Sequence, residues 1–286
     1  MHDQADELRQ LVRLGAMQSP HSGPPPRWIV VAGGRPNVGT TTLSVNLAVA
    51  LCGQGRQIVL VDADLDRSGV AALCEIAERS SIVDVLSGQR TIHEVLQRGP
   101  SGMQVVPGTW APADAAGSST AAQIRLVGEL NQLGPYADAL VIDVGSSRSG
   151  LAQRLWAAAD LVVLVTTPES DAIMDSYAAI KVLLGPETVV PVQTLVNLAA
   201  GHAVAVDVHG RIAQACQRFL GVQIGAAGYL PCDPMIAEAA SSGRPFLIRS
   251  PRCGAARNVE RMAETLWAHV ARQPAARSRE LLARTG

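Results

Sequence analysis

The segment Trp28-Ile29-Val30-Val31-Ala32-Gly33-Gly34-Arg35-Pro36-Asn37-Val38-Gly39-Thr40-Thr41-Thr42-Leu43-Ser44-Val45-Asn46-Leu47-Ala48 passes from an apolar, β-branched run through a glycine-bearing turn into a helix-forming stretch. A helix that opens directly after such a turn points its free N–H groups, and the positive end of its dipole, at whatever occupies the turn. Gly34, four further residues, Gly39, Thr40 and Thr41 fit the G-x-x-x-x-G-K-[ST] frame that cradles phosphate, except that threonine stands where the frame has lysine.

Working outward, short apolar runs recur at Trp28 to Ala32, Gln57 to Val61, Met103 to Val106, Ala139 to Ile142, Leu161 to Thr166, Val189 to Val196 and Gly228 to Leu230. Helix-period stretches lie between them, at Thr41 to Leu51, Thr120 to Leu133, Ser170 to Leu184, Arg211 to Leu220 and Val259 to Arg272. Strands this apolar must be covered on both faces, so the pattern predicts an α/β fold: a mostly parallel, twisted sheet flanked by helices on both sides. Ligands of such sheets bind beyond the carboxyl ends of the strands, which is where acidic residues collect here. Val59-Leu60-Val61 runs into Asp62-Ala63-Asp64-Leu65-Asp66, and Leu140-Val141-Ile142 ends in Asp143.

Composition excludes several alternatives. The formal net charge of the 286 residues is -1, which gives no global electrostatic case for nucleic acid, and 3% aromatics leave few platforms for stacking bases. Direct nucleic-acid binding is not expected. The five cysteines, Cys52, Cys74, Cys216, Cys232 and Cys253, are scattered and form no C-x-x-C pair, and the six histidines lack ligand spacing; neither a disulfide framework nor a metal cluster is expected. No apolar run approaches the roughly 18 residues that span a bilayer, and the first 14 residues are charged, so the chain reads as a cytoplasmic protein, at most peripheral at the membrane's inner face. Lys181 is the only lysine; every other basic side chain is arginine.

The loop and helix resemble the deviant Walker A motif of the MinD/ParA family, K-G-G-x-G-K-[ST]-T followed by S-x-N-L-A. In that alignment Arg35 takes the place of the signature lysine, Pro36 and Asn37 replace two glycines, and Thr40 replaces the Walker lysine. The resemblance implies a MinD-like P-loop fold that binds ATP or ADP with Mg²⁺ through Gly34, Arg35, Asn37, Val38, Gly39, Thr40, Thr41 and Thr42. Asn197 resembles the asparagine that contacts adenine. Thr41, Asp62 and Asp143 match the metal-facing positions, and Asp64 matches the aspartate that orients the attacking water. Proline at 36 removes one N–H and fixes φ near roughly −65°, and Thr40 carries no charge; loss of one such electrostatic donor typically costs about 10²- to 10³-fold in rate. Weakened nucleotide binding and reduced or absent hydrolysis are therefore expected.

Within the family, Thr166-Thr167-Pro168-Glu169 continuing to Ile173, Asp175, Ser176 and Tyr177 resembles the flagellar number regulators of FlhG type, as does Gly228-Tyr229-Leu230-Pro231-Cys232-Asp233. Asp3-Gln4-Ala5-Asp6-Glu7-Leu8-Arg9 matches their D-Q-A-x-x-L-R segment, which implies that Asp3, Gln4, Ala5, Leu8 and Arg9 engage an FlhF-type signal-recognition GTPase. The expected organisation is a partner-binding helix over 1–14, a Pro/Gly linker over 15–26, a P-loop domain over 27–272 and a basic tail over 273–286. The family's other habits leave two further readings: an active ATPase switching between monomer and homodimer, or a pseudo-ATPase adaptor for a pilus or cellulose-export assembly. The short tail makes any peripheral membrane contact weak.

Overall fold

In the computed structural model, which describes residues 25–77, 79–109, 119–184 and 190–273, strand β1 (Arg27–Gly33) is the centre of the molecule. Its side chains alternate, and both sets are buried. Trp28, Val30 and Ala32 join one apolar layer, while Ile29 and Val31 join the other. The sequence 3-4-2-5-1-6-7-8 gives the order of the eight strands. β2 (Ile58–Asp62), β4 (Gln104–Val106) and β5 (Ala139–Asp143) lie to one side of β1. β6 (Leu161–Thr166), β7 (Val192–Ala199) and β8 (Gly225–Pro231) lie to the other. All of these pair in parallel. Only β3 (Gln97–Arg98) is antiparallel, at the edge beside β4.

Eleven helices among the described residues complete the layers. On the face of Ile29 and Val31 sit α1 (Thr40–Gly53), α2 (Val70–Leu73), α9 (Pro234–Ser241), α10 (Phe246–Arg249) and α11 (Gly254–Arg272). On the face of Trp28 sit α3 (Ile82–Leu86), α4 (Ile92–Val95), α5 (Thr120–Asn131), α6 (Gly150–Ala158), α7 (Ser170–Leu183) and α8 (His202–Leu220). The expected parallel sheet covered on both faces is thus the observed one. The stripe Val259, Met262, Ala263, Leu266 and Val270 of α11 is buried against α1 and β8, and Arg56 stacks over Trp267 at 4.5 Å.

Boundaries differ from expectation where local signals are weak. α8 begins at His202, nine residues before the expected Arg211, and β8 begins at Gly225 rather than Gly228 because an extra residue bulges between Ala226 and Gly228, with Gly228 at φ 128°. Cys253 caps α11 through Sγ, which accepts from the Ala256 N–H. Burial pushes the thiols of Cys74 and Cys216 up to about 12 and about 11, so both are inert at neutral pH. Among the described residues no helix is long and apolar enough to cross a membrane. The expected partner helix 1–14, most of the linker 15–26 and nearly all of the tail 273–286 lie outside the described residues.

Candidate functional site

Strand register assembles the site. Asp62 at the end of β2 pairs with Asp143 at the end of β5, and Asp143 in turn is level with Val31 of β1, shortly before the loop. The loop from Gly34 to Gly39 and the first turn of α1 close over these ends. Arg35, Pro36, Asn37, Gly39, Thr40, Thr41 and Thr42 line a cavity of about 320 Å³ together with Asp64, Arg67, Gly145 and Ser146. No side chain caps α1, and no acidic residue lies in its first turn, so its free N–H groups and dipole face this cavity.

The loop's shape is tightly specified. Gly39 sits at φ 93°, and a Cβ there would strike the Asn197 amide. A Cβ on Gly34 would lie 2.5 Å from the backbone nitrogen of Ser176 on α7. Asn37 also adopts a positive φ, 65°, a region asparagine tolerates better than most residues. Asn197 reaches Val38 from β7, its Nδ2 donating to the Val38 carbonyl at 2.8 Å. Its amide therefore braces the phosphate loop from the side. Arg35, half exposed, faces Asp175 of α7 at 3.8 Å, and Arg148 donates to the Gly34 carbonyl at 3.3 Å. Ser176 anchors that stretch of α7, its Oγ lying within hydrogen-bond reach of Thr166 Oγ1 at 2.9 Å and of the Ala172 carbonyl at 2.7 Å.

The three aspartates have different surroundings. Asp62 is fully buried, and its Oδ2 accepts from Ser68 Oγ and from the N–H groups of Gly69 and Val70, each at 3.1 Å. Burial raises its carboxyl to about 6 against the pull of these donors. It is expected to be metal-facing; its observed partners make it the anchor of the loop that follows β2. Asp64 does line the cavity. Its Oδ1 accepts from the N–H groups of Asp66 and Arg67, its other oxygen is aimed at Gly145, and burial raises its pKa. Asp143 is wholly buried and pushed up to about 8, first by desolvation and then by the Asp62 charge, while the Thr41 hydroxyl and the Gly145 N–H pull it down. Asp143 Oδ2 has no hydrogen-bond partner among the described residues.

An orphaned, buried carboxylate oxygen beside a helix-start hydroxyl fits a hydrated Mg²⁺ held between protein and phosphate, an ion that keeps several waters. Among the described residues no cluster of three or more His, Cys, Asp or Glu could hold a metal by itself. Residues that sequence reasoning passed over also shape the site: Arg67, Gly145, Ser146, Arg148 and Asp175. Of these, Gly145 and Ser146 had a signal as neighbours of Asp143, and Asp175 as part of the segment that opens at Thr166.

Residues 27–182, more than half of the chain, match the AAA domain family. The chain belongs to that family. Within it, the chain is a P-loop protein of MinD/ParA type. It is 29% identical to the antiactivator FleN of Pseudomonas aeruginosa over 228 residues, 80% of this chain and 81% of that protein. It is 29% identical to the flagellum site-determining protein YlxH of Helicobacter pylori over 157 residues, 54% of this chain and 53% of YlxH. The septum site-determining protein MinD of Pyrococcus horikoshii, solved with Mg-ADP, superposes with a TM-score of 0.70 at 20% identity, covering 84% of this chain and 95% of that one. Family membership explains the α1 signature as well: Asn46 Nδ2 donates to the Thr42 carbonyl, and its Oδ1 accepts from the Leu247 N–H, stitching the loop's helix to α10.

Proposed function

We propose that this protein is an FlhG-like regulator of flagellar number or placement, acting on an FlhF-type GTPase through Asp3, Gln4, Ala5, Leu8 and Arg9. Its site binds ATP or ADP with Mg²⁺ weakly and turns ATP over slowly. The similarity to the antiactivator FleN and to YlxH, the latter named as a flagellum site-determining protein, supports the biological part of this reading. One observation carries the chemical part: the cavity keeps the helix start, Thr41 and Asp64, with the buried Asp143 beside Thr41, yet position 40 in its lining holds an uncharged threonine. Bound Mg²⁺ would neutralise part of the charge on the terminal phosphates. Thr41 and Asp143 are the residues to hold it, and Asp64 the carboxylate to orient water. Pro36 adds no N–H to the cradle, and Asp64 already accepts two backbone donors. Binding therefore outlasts catalysis.

The test of the regulatory reading is whether the full chain stimulates GTP hydrolysis by a purified FlhF-type GTPase. Stimulation that disappears in Leu8→Asp and Arg9→Glu variants is the expected result. No stimulation, or stimulation indifferent to both substitutions, overturns it and leaves an adaptor of another polar assembly as the reading to pursue.

A further inference from the structure

The cavity's three neighbouring arginines differ in what they already hold. Arg35 faces Asp175, and Arg148 donates to the Gly34 carbonyl. Arg67 lines the cavity from the opposite rim, on the loop after β2, and forms no ion pair within 4.0 Å of a carboxylate among the described residues. It is held at two points. Its backbone N–H donates to Asp64 Oδ1 at 3.0 Å, and its Nη1 donates to Asn37 Oδ1 at 3.2 Å. Both anchors themselves line the cavity, so the guanidinium spans its mouth from the β2 loop to the phosphate loop. A guanidinium carries five N–H donors in a planar fork suited to phosphate, and one is committed to Asn37.

We propose that Arg67 is the phosphate-binding cation of this site, supplying from the facing loop the charge that Thr40 does not carry. The ligand is the terminal phosphate of a nucleoside triphosphate. This rests on the nucleotide-site reading above. Asn37, a poor replacement for a loop glycine as far as backbone approach is concerned, acquires a use in this arrangement: its side chain aims Arg67 across the cavity. Because the same loop ties the Arg67 N–H to Asp64, engagement of phosphate and orientation of that carboxylate belong to one segment.

Calorimetric binding of Mg-ATP and Mg-ADP to the full chain tests this, with Arg67→Gln, Arg67→Lys and the double variant Arg67→Gln/Thr40→Lys beside the wild type. Arg67 is exposed, so its replacement is expected to leave the apo melting temperature unchanged. Arg67→Gln should weaken Mg-ATP by about 10- to 100-fold, the scale of a lost charge-assisted hydrogen bond, and Mg-ADP by less. Arg67→Lys should recover part of the loss, and lysine at position 40 should recover it in the double variant. Wild-type affinity in Arg67→Gln overturns this proposal alone, as does a loss that neither lysine rescues, which would mark Arg67 as a loop brace. A wild type that binds neither nucleotide up to millimolar concentration overturns both this proposal and the nucleotide-site reading.

Discussion

Asp143 sits at the end of an otherwise apolar strand, with one carboxylate oxygen accepting from the Gly145 N–H and the other without a hydrogen-bond partner among the described residues. Desolvation lifts its pKa from 3.8 to about 8. A carboxyl whose folded pKa is raised favours folding fully below its unfolded pKa, and that contribution is lost as pH rises through the folded value. Urea denaturation of the nucleotide-free protein should therefore show stability falling between pH 5 and pH 8.5. Asp143→Asn should flatten that fall by an amount on the order of a few kcal/mol. Equal losses in both proteins would mean that Asp143 is ionised throughout. At this scale the sequence was informative where chemistry requires one residue type at one offset. Gly39 and Thr41 fit the phosphate-loop frame and Asp143 ends an apolar strand, and the family resemblance gave them their expected roles. The placement of Arg67 and of Asp175 beside this loop could not be read, because nothing in a linear pattern reports that the β2 loop and α7 fold back against the phosphate loop.

Elements were legible in proportion to their apolar signal. The seven expected strands all occur, since a strand buried on both faces must be apolar throughout, whereas the two-residue edge strand β3 carries no such signature. The short helices α3 and α4 went unread for the same reason; each is held by a capping box, Ser81 with Asp84 and Thr91 with Glu94, over a single turn or so of helix. α1 is nearly all buried, so its position is set by contacts on every side rather than by one amphipathic stripe. Asn46 is one of the buried polar members of that helix, and its Oδ1 accepts the buried Leu247 N–H at 3.0 Å. Asn46→Ala should leave this donor unsatisfied and lower stability by about 1 to 3 kcal/mol, with hydrogen exchange accelerating first at Leu247. Unchanged protection at Leu247 would show that α10 docks on α1 through its apolar residues alone.

At the scale of the whole molecule, strand order 2-5-1 brings the carboxyl ends of β2, β5 and β1 side by side, so Asp64, Asp143 and the phosphate loop meet although they are far apart in the chain. The fold class followed from alternation of strands and helices; the strand order did not, because parallel strands of similar composition are interchangeable until their helices pack. The architecture keeps a cavity beside the phosphate loop whose lining holds an uncharged Thr40 while arginines gather around it. On the reading proposed above, such a site holds phosphate more readily than it stabilises its transfer. Steady-state phosphate release from Mg-ATP, by the wild type and by Thr40→Lys under saturating nucleotide, tests this most directly. The account predicts release near background for the wild type and a rise of about 10²-fold in Thr40→Lys. Robust wild-type turnover that lysine at position 40 does not increase would contradict it.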